Sequence, residues 1–275
     1  MIEFIKAVIL GILQGITEWL PISSTAHLIL LNDLIKLNVS ENFWSLFLVV
    51  IQLGSIMAVV ILFFNKLNPL SKDKNEEEKS GTYRLWFMIL IASLPLIIAA
   101  VLDNYIPDNS LIIAFTLIFY GVLFIIIEKR NKNVTPKINS VAGIDIRTAF
   151  LIGMFQLLAV IPGTSRSGAT IIGALILGVS RVAATEFSFF LAIPAMVGAS
   201  GLKLVKYIIK TGLVFSGNEL FILTVATLVS FGVSIFAIKY LLKYIRRNDF
   251  TAFGYYRIGL GILIFLVFGF NLIFA

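Results

Sequence analysis

Six stretches of this chain, about 43–64, 84–102, 110–128, 182–207, 218–242 and 253–274, stay apolar over the roughly 20 residues a helix needs to cross a bilayer. Nothing else in the sequence constrains the fold as tightly. Hydrocarbon offers no water to backbone N–H and C=O groups, so only helices and closed barrels can span it. Apolar runs this long and without alternation are helical. The chain therefore reads as an all-α integral membrane protein, and its 59% hydrophobic and 13% charged residues fit that class. The spans use up the length, so residues 1–275 are expected to form a single polytopic membrane domain.

Two regions depart from the spanning pattern. Residues 2–20 form an apolar limb stopped by Pro21, with a shorter limb from about 26 to 37. Residues 148–161 form another limb, stopped by Pro162, with a return limb from about 169 to 179. Neither limb of a pair spans comfortably alone, so both regions read as re-entrant helical hairpins around polar centres. Irregular backbone is tolerated at that depth only against protein or a wet cavity.

The charges between segments give a topology. The loop 65–84 carries Lys66, Lys72, Lys74, Lys79 and Arg84, offset by Asp73, Glu76, Glu77 and Glu78. The run 72–79 reads as a solvated loop. Lys129, Arg130, Lys132, Lys137 and Arg147 face one acid, Asp145, and the fifth span ends in Lys243, Arg246 and Arg247. The short loop 103–109 has only Asp103 and Asp108. The positive-inside rule puts the three basic loops in the cytoplasm and both termini outside, although it leaves Lys203, Lys206 and Lys210 facing outward. One hairpin then enters from the outer face and the other from the cytoplasmic face. The layout is an inverted-topology repeat, approximately 1–128 and 148–275, each half a hairpin plus three spans.

The same placement explains the net charge of +7 as topology charge, so no nucleic-acid partner is expected. The N-terminus lacks a basic n-region and its first apolar run leads into polar residues, so no cleavable signal peptide is expected. Cysteine is absent, which excludes disulfides, thiol catalysis and Cys/His zinc sites.

The polar centres carry the chemistry. Gln14 and Glu18 are four apart and share a helix face. A carboxylate at bilayer depth costs roughly 2.5–3.5 kcal/mol on insertion scales, so it is usually paired or functional. After Pro21 come Ser23, Ser24 and Thr25, and then His27, the only histidine. Singly, each would pass as packing, and hydroxyls often just bond helix carbonyls. Their concentration around a helix break beside Glu18 reverses that weighting. The second centre, Pro162-Gly-Thr-Ser-Arg-Ser-Gly-Ala-Thr170, is suited to an anion. Gly163 and Gly168 free the backbone to approach a ligand, and the return helix offers a positive end. Arg166 supplies a fork for phosphate oxygens. Thr164, Ser165, Ser167 and Thr170 add hydroxyls. Together the centres suit phosphoryl transfer, in which positioning and charge stabilisation dominate. Ser24 or His27 could attack or assist a water, and the sequence does not rank them. Glu18, with Gln14, could orient the base or hold a hard divalent cation.

At these residues the chain resembles the undecaprenyl-diphosphatase family, bacterial membrane enzymes also known as bacitracin-resistance proteins, over essentially its whole length. The carrying pieces are Gln14-x-x-x-Glu18, then Leu-Pro-x-Ser-Ser-Thr-x-His27, and Pro162-Gly-Thr-Ser-Arg-Ser-Gly-Ala-Thr170. Two weaker stretches, Ile51-Gln-Leu-Gly-Ser-Ile-Met-Ala-Val and Glu186-Phe-Ser-Phe-Phe-Leu-Ala-Ile-Pro194, are mostly packing, with Gln52 and Glu186 the exceptions. Gln14 stands where members have Glu or Gln, and Ala26 where many have glycine. The resemblance implies hydrolysis of undecaprenyl (C55 isoprenyl) pyrophosphate to the monophosphate carrier used in cell-wall synthesis, with bacitracin resistance as a consequence. It implies a bacterial plasma membrane location, a site open to the extracytoplasmic face, and dependence on Mg²⁺ or Ca²⁺. It carries over Glu18, Ser24, His27 and Arg166 as the catalytic set. Ser23, Thr25 and the hydroxyls and glycines around Arg166 become phosphate-binding candidates, and Glu18 and Gln14 metal candidates. Whether the chain forms a homodimer stays open.

The rival reading is a transporter or flippase for a lipid phosphate or another anion, because paired hairpins in inverted repeats are a transporter architecture. Ser24 with His27 favours the enzyme, since a binding-only site has little use for a nucleophile and a base.

Overall fold

The computed structural model describes residues 1–102, 105–106, 109–212 and 215–274, so Asp103 and Asp108 lie outside the described residues. Among the described residues there are helices and no strand, only an isolated bridge between Ile138 and Val179. The helices are α1 (Ile2–Thr17), α2 (Ser24–Ile35), α3 (Glu41–Leu62), the short α4 (Phe64–Leu67), α5 (Glu76–Ser93), α6 (Leu96–Leu102), α7 (Ser110–Asn131), α8 (Ile146–Leu157), α9 (Arg166–Ile176), α10 (Arg181–Thr211), α11 (Gly217–Ile245) and α12 (Thr251–Phe274). Among the described residues, six helical stretches are long and apolar enough to cross a membrane: α3, α5 continued into α6 as far as Ala99, α7, α10, α11 and α12. The second of these is interrupted at Leu94-Pro95, where a proline cannot continue the hydrogen-bond ladder.

The run 72–79 is not all loop. Asn75 accepts from the Glu78 amide at 2.9 Å and Glu78 accepts from the Asn75 amide at 3.0 Å, so α5 starts at Glu76 on a capping box. The three glutamates sit in its first turn, where the positive helix end favours acids.

Each polar centre is the tip of a pair of helices whose far ends meet. In the first pair, Lys6 Nζ donates to the Lys36 carbonyl at 2.8 Å and the Asn38 amide to Glu3 at 3.1 Å. In the second, the Lys137 amide donates to Gly178 O and the Ser180 amide to Ile138 O, both at 2.8 Å. α1 packs on α11 and α8 on α5, while α3 packs on α10 and α7 on α12. The α7–α12 seam is tight because two glycines face each other: a Cβ at Gly121 would fall 2.7 Å from the Gly254 carbonyl, and one at Gly254 would fall 2.8 Å from that of Gly121.

One end of the bundle is tied by charge. Glu128, buried at the end of α7, takes Arg181 at the start of α10 through Nε at 2.9 and 3.0 Å, and the Phe250 amide just before α12 at 3.1 Å. Glu186, flagged in the sequence as more than packing, pairs with Lys66 at 2.6 Å near the same end. A buried carboxylate without such partners would be strongly destabilising. The end that carries the basic loops is thereby tied together, and the two hairpin tips meet inside the bundle.

Candidate active site

α1 runs out at Thr17, and Glu18 caps it with helical dihedrals, its amide bonding Gln14 O at 3.0 Å. The four-residue spacing then does what it predicts: Gln14 Nε2 donates to Glu18 Oε2 at 2.9 Å, with both side chains buried. Pro21 lies in the turn that follows, and α2 begins at Ser24. The second tip follows the same plan, with α9 beginning at Arg166.

Both return helices are entered through a strained serine. Ser23 (φ 74°) and Ser165 (φ 69°) are N-caps in the left-handed region, an uncommon place for a residue with a Cβ. Such conformations cost about 1–3 kcal/mol each and persist where the surroundings impose them, most often at functional sites. The result is that Ser24 and Arg166 occupy the same position, the first residue of a helix whose positive end faces the other tip.

The tips touch through their charged groups. Glu18 Oε2 also accepts the Ser24 hydroxyl at 2.7 Å, and Glu18 Oε1 takes Arg166 Nη2 at 3.3 Å. Arg166 Nη1 donates to the Ser188 carbonyl of α10 at 2.9 Å, which fixes the plane of the guanidinium. Ser167 Oγ reaches back to the Glu18 and Leu20 carbonyls, each at 3.4 Å. Glu18, Ser24, Arg166 and Gln14 therefore form one connected group.

His27 stands apart from it. Its Nδ1 lies 2.7 Å from the Ser23 carbonyl and its Nε2 2.7 Å from the Tyr256 hydroxyl, with the two rings stacked. A carbonyl only accepts, so Nδ1 carries the proton in the neutral ring and Nε2 accepts from Tyr256. The hydroxyl of Ser24 is bonded to Glu18 and not to the histidine.

The other candidates divide. Thr25 is exposed. Thr164 is fully buried, and Thr170 turns toward α10, where its hydroxyl bonds Ser188 Oγ at 2.6 Å and the Arg166 carbonyl at 3.0 Å. Ser165 Oγ caps α9 by accepting the Gly168 amide at 3.2 Å. The glycines, expected to open the backbone to a ligand, also lie close to protein on the side where a Cβ would stand. At Gly163 (φ +85°) a Cβ would strike Thr116 of α7, whose hydroxyl donates to the Pro162 carbonyl at 2.6 Å. A Cβ at Gly168 would lie 3.3 Å from Arg257 Nη1.

Arg257, like Tyr256 beside it, is a residue that sequence reading missed. It lies on α12, is 0% exposed, and its guanidinium joins the two tips: Nη1 to Pro21 O at 3.0 Å, Nη2 to Gly163 O at 2.9 Å and to Thr164 O at 3.0 Å. Its guanidinium carbon is 5.6 Å from the centre of the Tyr120 ring. An arginine inside an apolar span was the available signal, because such a residue faces the bundle interior and has a partner. With Arg166, it gives the tips two cations against one carboxylate.

The donor set for a cation is partial. Gln14 Oε1 is buried without a partner beside Glu18, an oxygen of the kind hard cations take. Among the described residues no group of three His, Cys, Asp or Glu could hold a metal. The residues present thus fit a Mg²⁺ or Ca²⁺ that draws its remaining oxygens from a phosphorylated ligand and water, the usual arrangement for Mg²⁺.

Residues 7–263 match the family model described as bacitracin resistance protein BacA. The chain is 56% identical over 263 residues to an undecaprenyl-diphosphatase of Enterococcus faecalis, covering 94% of this chain and 95% of that one. It is 54% identical over 272 residues to an undecaprenyl-diphosphatase of Acetivibrio thermocellus, covering 98% of each. An undecaprenyl-diphosphatase 1 of Clostridioides difficile is 53% identical over 272 residues, covering 98% of this chain and 97% of its own.

Proposed function

This chain belongs to the bacitracin resistance protein BacA family, and we infer from that premise that it is an undecaprenyl-diphosphatase. It is a multi-pass membrane enzyme that hydrolyses undecaprenyl pyrophosphate to undecaprenyl phosphate and inorganic phosphate, returning the lipid carrier to cell-wall synthesis. The observation that carries the chemistry is the 2.7 Å bond from Ser24 Oγ to Glu18 Oε2, with Arg166 on the other oxygen of the same carboxylate.

In this reading the pyrophosphate lies between the tips, and Arg166 exchanges its contact with Glu18 for the oxygens of the terminal phosphate. Arg166 keeps its bond to Ser188 O, so the fork stays aimed while its free nitrogens bind phosphate. Ser24 Oγ attacks the terminal phosphorus and its proton passes to Glu18 Oε2. The bond from that phosphorus to the bridging oxygen breaks, and undecaprenyl phosphate leaves with the electron pair. Water then attacks the phosphoserine, giving a proton to a base, and inorganic phosphate departs as Ser24 recovers its own. His27 Nε2, relayed through Tyr256, is the second base at hand. Charge on the equatorial oxygens is met by Arg166 and by the positive ends of α2 and α9. A Mg²⁺ or Ca²⁺ held by Glu18 and Gln14 would neutralise the pyrophosphate further.

The halves are arranged as inverted repeats, and the exchange of packing partners supports that: α1 on α11 is answered by α8 on α5. With the basic loops in the cytoplasm, the first hairpin enters from outside, and the site serves the extracytoplasmic face of the plasma membrane. The rival transporter reading shares the architecture but leaves the Ser24–Glu18 pair without a task.

The test is phosphate release from undecaprenyl pyrophosphate by the purified protein with Mg²⁺ or Ca²⁺, beside Glu18→Gln. Release by the wild type, with a loss on the order of 10³-fold in the variant, is expected. Well-folded wild type that releases none, yet moves labelled lipid phosphate between leaflets of a vesicle, would establish the transporter instead.

A further inference from the structure

A cavity of about 520 Å³ opens between α5 and the start of α8, at the opposite end of α8 from the tips, lined by Arg84, Met88, Asp145, Ile146 and Arg147. Arg84 and Arg147 are exposed, and neither forms an ion pair with a side chain among the described residues. Asp145 shares the space, but its carboxylate caps α8, accepting the Thr148 amide at 2.8 Å. Two guanidinium groups lining one cavity repel each other, and the single carboxylate of Asp145, which attracts Arg147, does not offset both. An anion with several oxygens would remove that repulsion and fill both forks at once.

The surroundings say what kind of anion. Tyr83 and Trp86 flank Arg84, the residue types that collect at the membrane–water boundary. One turn further into the apolar span, Phe87 on α5 and Phe150 on α8 are exposed, a surface that suits acyl chains. The same end of the bundle carries Lys129, Arg130, Arg246 and Arg247, the signature of a face that meets an anionic leaflet. Basic pockets between membrane helices on that side commonly hold lipid headgroups.

We propose that this cavity binds the phosphate of an anionic diacyl phospholipid, bridged by Arg84 and Arg147, with its chains along Phe87 and Phe150. The site is separate from the one that carries catalysis and does not depend on the reaction assigned to it. By joining α5 to the start of α8, the lipid holds in place the helix that leads to the second tip.

The experiment uses full-length protein in neutral detergent, incubated with dioleoylphosphatidylglycerol or dioleoylphosphatidylcholine and read by native mass spectrometry and thermal midpoint. The wild type is expected to retain phosphatidylglycerol and not phosphatidylcholine. R84Q/R147Q should weaken that retention about tenfold or more, as expected for two charge-assisted contacts, while phosphate release in neutral detergent stays unchanged. R246Q/R247Q, which removes equal charge from the same end, should keep it. Equal retention by R84Q/R147Q overturns the proposal, as does equal loss in R246Q/R247Q, which would mean diffuse attraction to a basic surface. Retention of phosphatidylcholine to the same extent would overturn the selectivity for a lipid of net negative charge. Displacement of phosphatidylglycerol by a polyprenyl monophosphate at matched concentration would assign the cavity to the reaction product instead.

Discussion

At Ser23 and at Ser165 the backbone enters a return helix at positive φ, and behind each serine the incoming helix places a glutamine and a glycine at the same spacings. Gln14 and Gln156 stand nine residues before their serines, and Gly11 and Gly153 twelve before. Gly11 lets α1 lie against the Ala226 carbonyl of α11, and Gly153 lets α8 lie against the Ala92 carbonyl of α5. What the two hairpins carry differs. Where the first has Glu18 the second has Val160, and where the first has Ser24 the second has Arg166. Gln14 consequently has a partner, while Gln156 is buried with neither amide atom bonded. Shared backbone and unlike cargo fit the division of labour we propose: one hairpin would bring the nucleophile and its acceptor, the other the cation that would hold the phosphate.

Exchanging or deleting the cargo is the most direct way to break that division. Ser24→Ala should reduce phosphate release on the order of 10⁴-fold or more without unfolding the protein, because the alanine removes the attacking atom and little volume. Residual activity within about tenfold of wild type would hand the attack to a water. Arg166→Lys keeps the charge but loses the fork, and kcat should fall on the order of 10²–10³-fold in steady-state assays.

Arg257 tests whether the hairpins act as one site. Arg257→Gln removes the cation from three carbonyls shared between the tips, and kcat should fall about ten- to a hundredfold. Spin labels at Thr25 and Ile161, on cysteines introduced into this naturally Cys-free chain, should report a broader spacing between the tips. Unchanged spacing with unchanged activity would mean the tips hold together without it.

The smallest effect is the sharpest comparison. Gln14→Leu should cost activity on the order of tenfold by releasing Glu18, whereas Gln156→Leu should leave it within about twofold. The thermal midpoint of Gln156→Leu should not drop, since replacing an unbonded buried amide by an apolar group is neutral or stabilising. A strong loss in Gln156→Leu would show that the second glutamine has a partner during turnover.

Much of this was legible in the chain. Spans came from apolar length, and the breaks between limbs from proline, although α1 ends at Thr17 and α8 at Leu157, four and five residues before Pro21 and Pro162. The Gln14–Glu18 contact came from helical spacing, because an i, i+4 pair is settled within one turn and needs no other element. The α5 start was misread since a capping box inside a charged run looks like loop chemistry until its two hydrogen bonds close. The glycines around Arg166 were read as making room for a ligand, and the packing adds a reason the sequence did not show: a Cβ at Gly163 would strike Thr116.

The sequence by itself determined the class of the fold and the residue types gathered in the two polar centres, which follow from periodicity and from the cost of polar groups in hydrocarbon. Only the tertiary structure decided who meets whom. Ser24 bonds Glu18 while His27 goes to Tyr256, and Glu18 finds Arg166 on the other half of the chain. Arg257 arrives from the last helix to tie the tips together. Apart from Ser24 with Glu18, six residues away, those contacts join residues far apart in the chain, and a hydrogen bond closes only within about 3 Å, a distance set by how the helices pack and by no local pattern.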